Sequence, residues 1–275
     1  MGMDVTTIDS HGCNNVPSNP KIEFHRDLLK SAVVVRKDKY NQTVGSYLGF
    51  VWLILDPLVL TLVYLFVFTI ISHREDAAAI FVALGIIRGL QRALTLSSSP
   101  LSLKAQRGFP IERVRTRVLI MSNTTIVGLD AFFMGIGIAG VLTLFLGKSL
   151  IGALVFIFVL FLNNLWWHSV GLMALNVTYV IPDFHKLLTY FGMAMFFVSP
   201  VLYSFSLTSG LHRTLLYYNP ATYFIELSRY VAGSEHSIGL LPIEGFIAVG
   251  AVGLILLGAG NLRLDKIRWN MSNRS

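Results

Sequence analysis

The stretch LGFVWLILDPLVLTLVYLFVFTII, residues 48–71, holds twenty-four residues with a single charged side chain, Asp56. Wound as a helix at about 1.5 Å per residue, it is longer than the roughly 30 Å of hydrocarbon in a bilayer. It reads as a membrane span. Directly before it, 24–47 is a basic amphipathic segment in which Leu28, Leu29 and Val35 oppose Arg36, Lys37 and Lys39. That pattern predicts a helix lying in the membrane interface. Together with Lys30, these cations place the N-terminal side in the cytoplasm, because Lys and Arg collect on the cytoplasmic flanks of spans.

The rest of the chain extends this reading. Of 275 residues, 54% are hydrophobic and 13% charged, whereas roughly a quarter are charged in soluble domains. A net charge of +7 would suit nucleic acid, but the cations cluster beside apolar runs and act there as topology determinants. No nucleic-acid partner is expected. Cys13 is the only cysteine, which rules out an intrachain disulfide and a cysteine-rich metal site. Residues 1–23 are polar, lack the apolar core of a cleaved signal and predict a cytosolic tail.

Five more apolar runs follow the first. The weakest is 77–96, interrupted by Arg88, Gln91 and Arg92. Next come 118–146, with Asp130 as its one charge, and 150–180, which has no Asp, Glu, Lys or Arg. Then come 187–203 and a last run within 243–262. The expectation is an all-α integral membrane protein whose six-helix domain covers 48–262, followed by a cytosolic tail, 263–275. Sixteen Lys and Arg fall on one side of this frame and four on the other, so both termini are predicted to be cytoplasmic in a multi-pass plasma-membrane protein. Segment 204–238 is rich in Leu and Tyr but broken at Asn219-Pro220. It predicts two short re-entrant or interfacial helices on the outer side, a candidate pore lining or gate.

A set of landmarks then invites comparison with a known family. Arg26-Asp27-Leu28-Leu29-Lys30, Lys39-Tyr40, Gly45, Leu48-Gly49, Trp52 and Pro57, with Tyr64 and Phe68, resembles the N-terminal signature of polysaccharide-type ABC-2 exporter permeases. Gly108-Phe109-Pro110, Pro182-Asp183, Ser199-Pro200-Val201-Leu202-Tyr203, and Asn219-Pro220 with Tyr223, Glu226 and Arg229 are similar to later landmarks in the same order. The chain departs from the family over 85–92, where an aromatic-rich stretch is usual. The resemblance implies a homodimer of twelve spans, paired with two copies of a separate ATPase that holds ATP and Mg, exporting a lipid-linked glycan. It also implies an ATPase-coupling surface made by Arg36, Lys37 and Lys39 with Arg107, Phe109, Pro110 and Arg113.

The residues themselves supply further candidates. Gly147-Lys148-Ser149 imitates a phosphate loop, but the motif needs Gly five positions before Gly147 and Leu142 stands there. No nucleotide or other cofactor is expected on this chain. Helical rise puts Arg88, Asp130 and Asp56 at similar depth, which predicts an ion pair of Arg88 with Asp130 or Asp56, the alternative being that Arg88 faces the pore. Arg88 and Arg92 lie one turn apart and are candidates for the phosphates of a polyprenyl pyrophosphate carrier; Arg92 can equally snorkel to the interface. Tyr203, Tyr217, Tyr218, Tyr223 and Phe224, with Trp166 and Trp167 deeper, offer rings on which sugars stack; the alternative is an interfacial aromatic belt. His168 predicts a hydrogen-bonded structural histidine, and Ala131, Gly135 and Ala139 predict close helix packing.

The expected function is the permease subunit of an ATP-driven exporter of lipid-linked polysaccharide, with no bond change catalysed by the chain itself. The rivals are an ABC-2 permease for small lipids or drugs and a membrane-embedded sugar or lipid transferase.

Overall fold

Without water to bond its amides, an apolar run satisfies them internally and becomes a helix. The computed structural model describes residues 6–9, 12–15, 20–43, 51–52, 54–55, 58–59, 62–63, 66, 77–99 and 116–272. Its helices are α1 Pro20–Thr43, α2 Ala77–Ser98, α3 Thr116–Leu144, α4 Leu150–Val180, α5 Asp183–Val198, α6 Gly210–Tyr218, α7 Pro220–Val231 and α8 Ile243–Ser272, with 3-10 turns at Phe205–Leu207 and Ile238–Leu240. Three helical stretches are long and apolar enough to cross a membrane: Ala77–Ser98, Ile120–Leu144 and Leu150–Leu175. Ile243–Ala259 is apolar but shorter. Within the first apolar run, the described positions from Trp52 to Phe66 are helical. Ile54 and Leu58 lie so close to α3 that a Cβ at Gly137 would sit 2.8 Å from each.

Several boundaries differ from expectation. The tail expected over 1–23 contains an antiparallel pair of strands, β1 Thr6–Asp9 and β2 Gly12–Asn15. Helix α1 starts at Pro20, since proline's fixed φ and missing N–H suit a first helical position. Helix α5 begins at Asp183 and stops at Val198, so the predicted run 187–203 is shifted toward the chain start. Helix α8 continues to Ser272 through residues expected to be tail. The break at Asn219-Pro220 is present as predicted. Asn219 caps α7 by accepting the Ala221 N–H at 3.0 Å, and Pro220 occupies the first turn.

Helix α2 is the centre of the bundle, packed against α4 above all and also against α3, α5 and α7. Phe81, Leu84, Ile86, Ile87, Leu90 and Leu94 of α2 are fully buried, with Ile138 and Leu142 of α3 and Phe156 and Leu160 of α4. Between lipid-solvated helices this contact is held by close van der Waals packing and buried hydrogen bonds. His168 plays the structural part expected of it. Its Nδ1 lies 2.5 Å from Ser97 Oγ of α2 and its Nε2 2.9 Å from Thr124 Oγ1 of α3. Asn163 Nδ2 donates to the Ile86 carbonyl at 3.0 Å. Ala131 and Ala139 are buried, and a Cβ on Gly135 would sit 3.1 Å from Ile157 of α4, which is the predicted small-residue contact.

Candidate functional site

Helices α4, α7 and α8 line two open cavities that share Trp166, Tyr223 and Val249. The wide one, about 970 Å³, is bounded by Thr214, Tyr217 and Tyr218 of α6, by the 239–242 turn and by α8 from Glu244 to Val252. The narrow one, about 250 Å³, runs between Leu162, Leu165 and Ser169 of α4 and Phe246 to Leu257 of α8, with Phe224 and Leu227 beside it. Two glycines on α8 admit the rings that build this wall. A Cβ on Gly253 would sit 2.5 Å from Trp166, and any side chain on Gly245 would overlap Tyr223. Trp166 Nε1 donates to the Val249 carbonyl at 2.9 Å, and Tyr223 Oη donates to the Tyr217 carbonyl at 2.8 Å. Tyr217 Oη donates to the Leu240 carbonyl at 3.2 Å. The hydroxyls of Tyr217 and Tyr223 thus fix the fold, with Arg213 over the Tyr217 ring, while Tyr218 is 84% exposed.

Of the seven aromatics singled out in the sequence, Trp166, Tyr217, Tyr218, Tyr223 and Phe224 meet at this cleft. Tyr203 and Trp167 line neither cavity. Tyr203 Oη is 2.9 Å from His212 Nε2. Trp167, its ring centroid 4.7 Å from that of Trp166, turns toward α5, buried with its centroid 6.2 Å from that of Phe191.

The intramembrane charges are paired differently from expectation. Asp130, its side chain 5% exposed, takes Lys39 Nζ on one oxygen and Arg92 Nε at 2.8 Å on the other. Among the described residues no pair of Arg88 with Asp130 is present, and the other expected partner, Asp56, lies outside them. Four residues turn a helix through about 400°, so Arg88 points some 40° away from Arg92 and its Nη1 donates to Gln91 Oε1 at 3.2 Å. Gln91 in turn donates to the Gly192 carbonyl of α5 at 3.0 Å. Arg92 does not snorkel free, because its Nε is committed to Asp130. Lys39, expected on the coupling surface, is instead buried against α3. Arg36 and Lys37 stay exposed beside it, as do Leu28 and Leu29, so α1 turns Val34, Val35 and Lys39 toward the bundle. Burial raises the Asp38 carboxyl above its usual range; Lys39 and Arg92 oppose the rise and Asp130 adds to it. Asp56, Arg107, Phe109, Pro110 and Arg113 lie outside the described residues.

A second charged knot holds the cleft in place. Glu226 and Arg229, which sequence reasoning carried only as landmarks, are both buried on α7 and paired at 2.9 Å. Arg229 also donates to the carbonyls of Ala79 at 3.2 Å and Val201 at 3.0 Å, and Glu226 accepts the Ser237 N–H. Three chain segments are thereby tied to the start of α2. Opposite charges three residues apart on an amphipathic helix, just after a proline start, are the sequence signal for this knot. Lys148 of the phosphate-loop look-alike sits in the α3–α4 turn, where Gly147 has φ +60°, and donates to the Gly233 carbonyl at 2.8 Å. No protein-family profile matches this chain, and a search of curated proteins finds no match to it.

Proposed function

We propose that this chain is the permease subunit of an ATP-driven exporter that moves a lipid-linked polysaccharide across the plasma membrane. It works as a homodimer of six-span chains, both termini cytoplasmic, with two copies of a separate ATPase supplying ATP, Mg and hydrolysis. Supporting this reading are the ordered landmarks of the sequence, the charge asymmetry of its loops and three helices of spanning length. The observation that carries it is the convergence of Trp166, Tyr217, Tyr218 and Tyr223 on one cleft, which offers ring faces to sugars. An oligosaccharide bound by stacking can advance ring by ring without passing one tight site. Exposed Arg36 and Lys37 on α1 supply the contact with the ATPase.

Co-purification with a phosphate-loop ATPase, whose turnover is then stimulated by lipid-linked glycan, is the result expected. Glycosyl transfer by the isolated chain would overturn the reading in favour of a transferase. A second reading, a permease for small lipids or drugs, draws on the narrow cavity, whose walls are almost entirely apolar. Stimulation of the ATPase by such amphiphiles, and not by glycan, would select it.

A further inference from the structure

Read from one end to the other, the cleft changes chemistry. Its lining on α8 extends from Glu244 to Leu257, about 20 Å at helical rise. At the Glu244 end stand the rings of Tyr217 and Tyr218 and the Thr214 hydroxyl, with Trp166 farther along against Val249 and Gly253. Toward Leu257 the walls are Leu162, Leu165, Phe224, Phe246 and Leu254, and the hydroxyls of Ser169 and Tyr223 are bonded to the Leu165 and Tyr217 carbonyls at 2.9 and 2.8 Å. A Cβ on Gly250 would meet nothing within 4 Å, so the floor there is open.

Charge selects among amphiphiles. Among the described residues lining the two cavities none is basic, and Glu244 is the one acid. A phosphate at the mouth would lose hydration beside the Glu244 carboxylate, while the nearby Arg213 guanidinium is held over the rings of Phe205 and Tyr217, 5.4 and 5.9 Å from their centroids. A neutral sugar would meet aromatic faces for its C–H side and hydroxyl and carboxylate oxygens for its own hydroxyls.

We infer that the cleft binds a neutral glycolipid, its sugar stacked on Tyr218 and its hydrocarbon tail lying along α8 over Gly250, beside Trp166. The pyrophosphate of a carrier lipid is held elsewhere. The physiological ligand rests on the export reading, but binding is measured on the chain alone, without ATPase or transport, so either idea can fail while the other stands.

The test uses the full chain in phosphatidylcholine nanodiscs, with Trp52, Trp167 and Trp269 changed to Phe so that Trp166 is the one indole. The probe is dodecyl maltoside brominated on its alkyl chain. Saturable quenching of Trp166 is expected, with maltose alone and brominated dodecyl phosphate each binding at least about tenfold more weakly. Gly250→Leu fills the floor and should weaken the maltoside about tenfold. Tyr218→Ala, at an exposed position where folding is not at stake, should weaken it about threefold to tenfold by removing the stacked ring. Equal quenching by the phosphate, or maltoside binding unchanged in both variants, would overturn the inference. So would efficient disulfide linkage of two copies through Gly250→Cys in a Cys13→Ser background, which would show a second copy covering the cleft.

Discussion

Helices α2 and α4 run parallel and pack along their length, yet they meet different surroundings. The apolar window of α2 is 78% buried and that of α4 39%, although α4 has the higher mean hydropathy, 2.1 against 1.5. Lipid solvates hydrocarbon, so the helix that presents most surface to lipid must be apolar all round. A helix enclosed by protein is released from that demand. It can carry Arg88, Gln91 and Arg92 because Gln91 bonds both Arg88 and the Gly192 carbonyl of α5 and Arg92 bonds Asp130 of α3, and Gly85 and Gly89 because close approach strengthens packing. Hydropathy along this chain therefore reports contact with lipid more than depth in the protein.

The comparison breaks most severely at the knot that anchors α7 to α2. Glu226→Ala leaves Arg229 buried without its carboxylate and should cost about 3 to 5 kcal/mol, read as loss of the monodisperse protein or a large fall in its thermal unfolding temperature. Next in size is Phe158→Arg, on the exposed side of α4. An arginine near the bilayer centre costs about 2.5 to 3.5 kcal/mol, measured as reduced insertion of α4 in a translocon assay, although α2 holds two arginines natively. Asp130→Asn should follow at about 2 kcal/mol, because Lys39 and Arg92 both lose the buried carboxylate they share. A nitroxide on α1 should report its release from α3. The smallest effect sharpens the contrast by its sign. Gly140→Leu on α3 meets nothing within 4 Å and should stabilise by up to about 0.8 kcal/mol through helix propensity. Gly89→Leu, which collides with Asn164 and Leu160, should destabilise by about 1 to 3 kcal/mol.

What the sequence made legible was local. The limits of α4 follow to the residue from an uninterrupted apolar run between a Gly147-Lys148 turn and Pro182, and the α6–α7 break follows from Asn219-Pro220. The structural role of His168 was also legible, since a lone imidazole in an apolar helix must find partners. Orientation was not. Trp166 and Trp167 are adjacent and so diverge by about 100° around α4. In a helix apolar on every side no pattern tells which ring meets the cleft and which meets α5. Asp130 shows the same limit. Depth counted from span edges gave Arg88 a partner in Asp130 or Asp56, whereas the pair Asp130 makes with Lys39 depends on how α1 lies against α3, and no spacing within one helix encodes that. The importance of α2 was hidden for the reason that makes it central, since the polar residues that weaken it as a span are the ones its neighbours bond.

Photolabelling of the membrane-reconstituted protein with a lipid-soluble reagent, followed by peptide mapping, tests most directly whether α2 is sheltered by protein while α4 faces lipid. The account predicts label on Leu154, Phe158 and Phe161 of α4 and none on residues 78–94 of α2. Label on the α2 peptide at or above the level on α4 would contradict it.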